Sequence, residues 1–281
     1  MLMVIPTRGR IGKQITFSNF PAELRKQTVI VCPSKEQRAH AANHPQVKEV
    51  VAQPDDTWTI AHKRRWIVET MLKDERKVCM LDDDLRFCTR RTDEPQKFKT
   101  STPEDILSVF KEMEGLLCEK VPHAGLAARG GSINDRAQEG GWQEAKRAMY
   151  VLAYHLPTLR RETKPFRIET REDMDTCLQL LTKGYPNVVN HSVLVDQKFG
   201  APGGASLERD FSRANADAER LAEFYPGLVK VVRKADVGRG ISEDARTRCE
   251  VVVQWQKALE KGREWRANNS GSDEGARQRH G

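Results

Sequence analysis

Three consecutive aspartates, Asp82, Asp83 and Asp84, follow directly on an apolar run in KVCMLDDDL, residues 77–85. Adjacent carboxylates repel one another, and such a cluster becomes favourable when a divalent cation neutralises it. Mg2+ and Mn2+ are hard ions that prefer oxygen and share their shell with substrate phosphates. Strand alternation would set Asp82 and Asp84 on one face as a pair and turn Asp83 the other way. The competing explanation is a polar turn in which one aspartate caps the next element; an apolar strand running straight into the triplet favours the metal.

Other groups able to do chemistry fall around it. PTRGR offers Thr7, Arg8 and Arg10 as donors after Pro6, with Gly9 permitting close backbone approach, or it is an ordinary glycine turn. AHKRRW brings His62, Lys63, Arg64 and Arg65 into the first half of one helix, a basic patch able to reach a diphosphate. REDMD places Glu172, Asp173 and Asp175 in the first turn of another helix, where acidic residues are stabilising in any protein. His191 by itself reads as a structural histidine. Trp142, in the glycine-rich stretch 129–142, is either a stacking platform or a core anchor, and Gly203-Gly204 near Ser206 is either a ligand-facing loop or a connector.

Those residues need a scaffold with its strand ends gathered at one edge. LMVI (2–5), TVIVCP (28–33), VKEVVAQP (47–54) and KVCML (77–81) read as strands alternating with short helical stretches, including one from Thr59. That is the pattern of an α/β protein with a mostly parallel central sheet flanked by helices, whose ligands bind beyond the carboxyl ends of the strands. Further on, residues 101–120 form a strong helix, capped by Ser101 or Thr102 with Pro103 in its first turn. AMYVLAYHLPTLR and YPNVVNHSVLVD read as strands, and REDMDTCLQLLTKG as a helix closed by Gly184. DFSRANADAERLAEFYP and EDARTRCEVVVQWQKALEKGREWR are expected as C-terminal helices, and 268–281 as a disordered tail after a single domain spanning 1–267.

The chain has 281 residues, 38% hydrophobic and 31% charged, with a net charge of +7. Basic clusters at 63–65, 86–99, 160–167 and 230–239 suit a polyanion or a solvated surface. No apolar stretch approaches the roughly 20 residues that cross a bilayer, and the start lacks signal-peptide features, so a cytoplasmic protein without a membrane is expected. Six scattered cysteines without a CxxC pair fit reduced thiols. Neither GxxxxGK[ST] nor GxGxxG occurs, which disfavours a P-loop enzyme and a dinucleotide dehydrogenase.

VIPTRGR, the AHKRRW helix and VCMLDDDL, in that order, resemble the nucleotide-sugar half of a GT-A glycosyltransferase, and RIETREDMDTCLQLLTKGY resembles the segment that supplies the base in inverting members. The resemblance runs from about residue 2 to 195. It implies a Rossmann-like GT-A fold, with residues 1–90 as the nucleotide-sugar half and 91–267 as the acceptor half. More narrowly, with the REDMD helix and the FGAPGG loop, the sequence resembles the TET-associated glycosyltransferases, which act on hydroxymethylated pyrimidines in DNA. The implied enzyme is a metal-dependent, inverting hexosyltransferase. It uses a UDP-sugar donor and Mn or Mg on double-stranded DNA containing 5-hydroxymethylcytosine, and acts as a monomer. Pro6, Thr7, Arg8, Arg10, His62, Lys63, Arg64, Arg65, Asp82 and Asp83 would hold the donor. Asp84, Asp82 and His191 would hold the metal. Asp173 would be the base, with Glu172 as second choice and Asp175 as third. Arg86, Arg90, Arg91 and Trp142 would meet the acceptor, helped by Lys97, Lys99, Arg160, Arg161 and Lys164.

Three other readings compete. One is the same fold with a sugar, lipid carrier or protein as acceptor, of which the basic balance and the missing amphipathic membrane helix count against the lipid. Another is a nucleotidyltransferase with Mg2+ aspartates. The last is a nucleic-acid-binding module, in which the aspartates would repel phosphate.

Overall fold

The computed structural model describes residues 1–132, 138–197, 211–235 and 247–277. The FGAPGG loop and the middle of the 129–142 stretch lie outside those residues.

Strands β1 (Leu2–Pro6), β2 (Thr28–Cys32), β3 (Glu49–Ala52) and β4 (Lys77–Leu81) run parallel in the order β3-β2-β1-β4. All five residues of β2 are buried, which is why TVIVC is apolar without alternation. The connections are helices α1 (Ile15–Asn19), α2 (Ala22–Arg25), α3 (Gln37–Asn43) and α4 (Ile60–Trp66), the last continuing as a π turn over Ile67–Met71.

The sheet then mixes direction. β5 (Leu85–Arg90) and β6 (Phe98–Thr100) precede α5 (Pro103–Leu116), which Thr102 caps, the second of the two expected candidates, in a capping box: Asp105 N–H donates to Thr102 Oγ1, and Thr102 N–H to the Asp105 carboxylate. After α5 come β7 (His123–Ala128), β8 (Trp142–Glu144), β9 (Val151–His155), α6 (Leu156–Glu162), α7 (Glu172–Leu181) and β10 (Asn187–Gln197). β9 is antiparallel between β4 and β7, β10 is parallel to β7, and β5 and β6 close the far edge of a ten-stranded sheet. The carboxyl ends of β1, β4, β7 and β10 therefore share one edge.

Two apolar layers cover the faces of this sheet, one around Phe20, Phe110 and Met113, the other around Ile67, Tyr154 and Leu156. A third cluster joins α7 to α8 (Phe211–Phe224), the hairpin β11 (Val229–Ala235) with β12 (Thr247–Val253), and α9 (Trp255–Arg277).

The C-terminal region corrects two expectations. TRCEVVV is a strand, not the start of a helix: Cys249 is buried and the alternate residues Val251 and Val253 pack against the third cluster, a period of two that a helix cannot satisfy. The helix after it runs on to Arg277, past the boundary at 267. Arg86 to Arg90, the start of the basic cluster 86–99, form a paired strand.

Candidate active site

The aspartates occupy a turn between β4 and β5, so strand alternation does not govern them. Asp83 and Asp84, not Asp82 and Asp84, share a partner: the Arg10 guanidinium pairs with Asp83 and stands 2.8 Å from Asp84 Oδ2. Thr7 Oγ1 donates to Asp83, and Gln14 Nε2 donates to Thr7 Oγ1 at 2.8 Å. Gln197 Nε2, at the end of β10, donates to Asp84 Oδ1 at 2.7 Å. Asp82 turns the other way, to Arg64.

The loop after β1 is held from several sides. Lys63 Nζ donates to Thr7 O at 2.8 Å, and Arg8 donates to Asp56 O and Trp58 O. Gly9, at φ +67°, gives its N–H to Glu36 Oε2 at 2.9 Å. Burial, with Arg8 nearby, lowers the Lys63 ammonium to about 8. His62 is exposed beside Thr59 and Glu169, and Arg65 reaches away to the carbonyls of Pro165 and Phe166. Of the basic helix, Lys63 and Arg64 face the aspartates, while His62 and Arg65 do not.

Arg64 is the hinge of the site. One nitrogen stands 2.7 Å from Asp82 Oδ1 and another 2.6 Å from Glu172 Oε1. Burial pushes both carboxyls up to about 7. Arg64 opposes that rise in each, and Asp173 adds to it, as do Asp83 and Asp84 for Asp82. Asp173 is half-buried, feels the charges of Arg64 and Asp82, and has no hydrogen bond or ion pair among the described residues. Asp175 is fully buried in a two-pronged pair with Arg167 and a bond to Tyr225, so it holds α7 in place and is no base.

Other expected positions fall elsewhere. His191 sits at an irregularity in β10, where Asn190 pairs with Leu126 of β7 and Leu194 already with Ala127. The charges that act on it are Lys146 and Arg90, and neither ring nitrogen has a partner among the described residues. It is not brought to the aspartates. Arg90 is buried, its guanidinium committed to the carbonyls of His191, Pro95 and Ser132. Arg91 pairs with Asp93 and Glu94, and Arg160 closes the end of the α4 segment through Val68, Leu72 and Lys73 carbonyls. Trp142 packs against the core and donates to Glu112 at 3.1 Å, which favours the anchor over the platform. Arg86 remains exposed on β5.

Sequence reading passed over Gln14, Glu36 and Gln197. Only Gln197 carried a signal, since it stands at the carboxyl edge of a strand.

Among the described residues no three His, Cys, Asp or Glu side chains form a ready-made metal cage. The donor set still suits Mg2+ or Mn2+, which bind through one or two carboxylates and complete their shell with water and phosphate. Three carboxylates crowd here, and burial first, then the neighbouring Asp83 and Asp84, raises the Asp82 carboxyl against the pull of Arg64.

Residues 1–204 match the family described as "TET-Associated Glycosyltransferase". Two curated relatives, both described as "Beta-glucosyl-HMC-alpha-glucosyl-transferase", from Enterobacteria phage T2 and Enterobacteria phage T6, are each 25% identical over 231 residues, covering 79% of this chain and 80% of theirs. Among solved structures, the mannosyltransferase PcManGT from Pyrobaculum calidifontis, in complex with GDP-Man and Mn2+, aligns with a TM-score of 0.52 and 13% identity over 96% of this chain and 75% of that one. That last likeness bears on the fold alone.

Proposed function

The chain belongs to the TET-associated glycosyltransferase family, and we propose that it moves a sugar from a UDP-sugar to the hydroxyl of 5-hydroxymethylcytosine in double-stranded DNA. The observation that carries this reading is the Arg64 bridge, which sets the aspartate turn against the Glu172–Asp173 pair at one sheet edge. A donor site and an acceptor base must be neighbours for transfer, and these two segments are far apart in the chain.

Arg10, Arg64 and Lys63 supply positive charge where a diphosphate would leave. Asp84, assisted by Asp82 or Asp83, would hold Mn2+ or Mg2+, which neutralises charge on the departing diphosphate. Asp173 takes the proton from the acceptor hydroxyl: it is the one carboxylate of the pair not already engaged, Glu172 being bound to Arg64. Arg64 thereby keeps Glu172 in place and leaves Asp173 as the base.

A second acceptor is favoured by the relatives, whose description names β-glucosyl-HMC, a hydroxymethylcytosine that already carries glucose. The same description names α-glucosyl transfer. From a donor with an α-linked sugar, inversion through Asp173 gives a β product, and retention gives an α product.

The test uses duplexes containing cytosine, 5-hydroxymethylcytosine or β-glucosyl-5-hydroxymethylcytosine, a panel of nucleotide sugars, and Mn2+ or Mg2+. Nucleosides are read by mass and the new linkage by anomeric NMR. The expected result is a hexose or N-acetylhexosamine gain on a modified base only. Donor hydrolysis without transfer to any duplex would overturn the DNA acceptor, and neither transfer nor hydrolysis would overturn the enzyme.

A further inference from the structure

We infer that the outer face of the β11–β12 ribbon docks the phosphate backbone of duplex DNA; this rests on the acceptor proposed above. The ribbon lies beyond the residues that match the family. Its register pairs Lys230 with Val252, Val232 with Glu250, and Lys234 with Arg248. Alternation puts these six on one face, while Val229, Val231, Cys249 and Val251 share the other, where Val229 belongs to the third apolar cluster and Val251 packs against it.

The outer face is basic and only partly compensated. Glu250 is shared between Lys234 at 2.6 Å and Arg248 at 2.7 Å, one carboxylate between two cations. Lys230 is exposed and has no ion pair among the described residues. Val252 stands 50% exposed between the charges. Lys230 and Lys234 lie four residues apart, roughly 13 Å along the strand. That is close to the ~12 Å width of the major groove, which admits a two-stranded ribbon and exposes the 5-substituent of a pyrimidine. Of the cations expected to grip DNA around β5, Arg90 is spent inside the fold and Arg91 and Lys97 are paired with Asp93 and Glu94, while Arg86 and Lys99 stay exposed; the ribbon adds a second basic surface to these.

The ribbon is also fastened to the catalytic turn. Arg171, at φ +59°, donates to Cys249 O on β12 at 2.6 Å and to Ala214 O on α8. Thr170 gives both its N–H and its hydroxyl to Asp217 Oδ2, at 2.8 and 3.0 Å. Glu172 and Asp173 begin immediately after this clasp. DNA seated on the ribbon is thus held by the same packed unit as the proposed base.

The experiment measures binding of a labelled 5-hydroxymethylcytosine duplex by fluorescence anisotropy from 50 to 200 mM salt, without donor. It compares wild type, Lys230→Glu and the triple Lys230→Ala, Lys234→Ala, Arg248→Ala. Transfer to the duplex and to the free hydroxymethylated nucleoside is measured in parallel. The triple variant should raise the duplex Kd at least tenfold and reduce the log–log salt slope by about 2–3, since each phosphate contact contributes roughly 0.9. Turnover of the nucleoside should be unchanged. Lys230→Glu breaks no ion pair, so folding is preserved, and it should weaken duplex binding alone. Unchanged Kd and slope in both variants, or no duplex binding by wild type, would overturn the inference. Ribbon-dependent binding without transfer to any acceptor would sustain the ribbon and overturn the transferase reading instead.

Discussion

Arg64 donates to Glu172 Oε1 at 2.6 Å across 108 residues of sequence. This contact ties the helix after β3 to the first residue of α7, and Asp82 completes the triad from the end of β4. A guanidinium shared by two low-exposure carboxylates balances charge that neither could carry alone.

Removing it should therefore be costly. Arg64→Met leaves two carboxylates unpaired and should destabilise by about 3 kcal/mol, less at pH 6 than at pH 8: burial already raises both carboxyls with Arg64 in place, and without it they rise further and take up protons that relieve the unpaired charge. Urea unfolding at the two pH values checks this. Arg64→Lys should restore stability in part but not the two-sided hold.

Asp173→Asn should preserve the fold, because Asp173 has no hydrogen bond or ion pair to lose among the described residues. Transfer should fall by about 10²–10⁴ while donor binding is kept. Steady-state kinetics beside calorimetric titration with the nucleotide sugar separates the two. Equal loss in both would point to a structural role.

Chelation should abolish transfer, and Mn2+ or Mg2+ should restore it, with Asp84→Ala refusing rescue. Gln197→Ala, which only frees Asp84 of a neutral donor, should raise the metal concentration needed for half-maximal rate and leave the saturated rate within a few-fold. A metal titration of initial rates decides.

His123 is fully buried, stacked on Tyr154 at 4.5 Å, and burial lowers its imidazole to about 4. The ordinary value near 6.5 applies once the chain unfolds. The unfolded state thus binds the extra proton first, and stability contributed by neutral His123 is lost as pH falls from about 6.5 to about 4. Between pH 7.5 and 4.5 wild type should lose about 2–3 kcal/mol more than His123→Phe. Urea midpoints at both pH values give the difference.

Gly262 is where α9 meets α7. A Cβ there would stand 2.0 Å from Leu181 O and 2.4 Å from Gly184 N, both backbone atoms that cannot swing away. Gly262→Ala should cost about 1–3 kcal/mol or more by forcing the helices apart. Earlier proteolysis of α9 and a lower urea midpoint would register it.

The first four strands were legible because their signals are local. TVIVC and KVCML announce buried strands, proline and glycine punctuate them, and the aspartates stand where the strand rule places ligands. The face of each aspartate was not legible, because Asp83 and Asp84 converge on Arg10 through a turn that alternation does not describe. Arg90 misled for a similar reason: arginine in sequence reads as surface, yet three carbonyls from separate segments can bury it. Gln197 and the Arg171 clasp depend on contacts across the whole chain, which no short pattern encodes. The β12 strand was missed because a valine run beside a strong helix former reads equally as helix until its partner strand is known.

The Arg171–Cys249 bond, spanning 78 residues, also bears on when the site exists. At ~5–20 residues per second, a ribosome needs about 4–16 s to pass from one partner to the other. During that interval the sheet can form and the aspartates can find Arg10. The turn bearing Asp173 still lacks its anchor. Nascent chains should then mature in two stages, the aspartate turn first and the turn bearing Asp173 only after Cys249 has emerged.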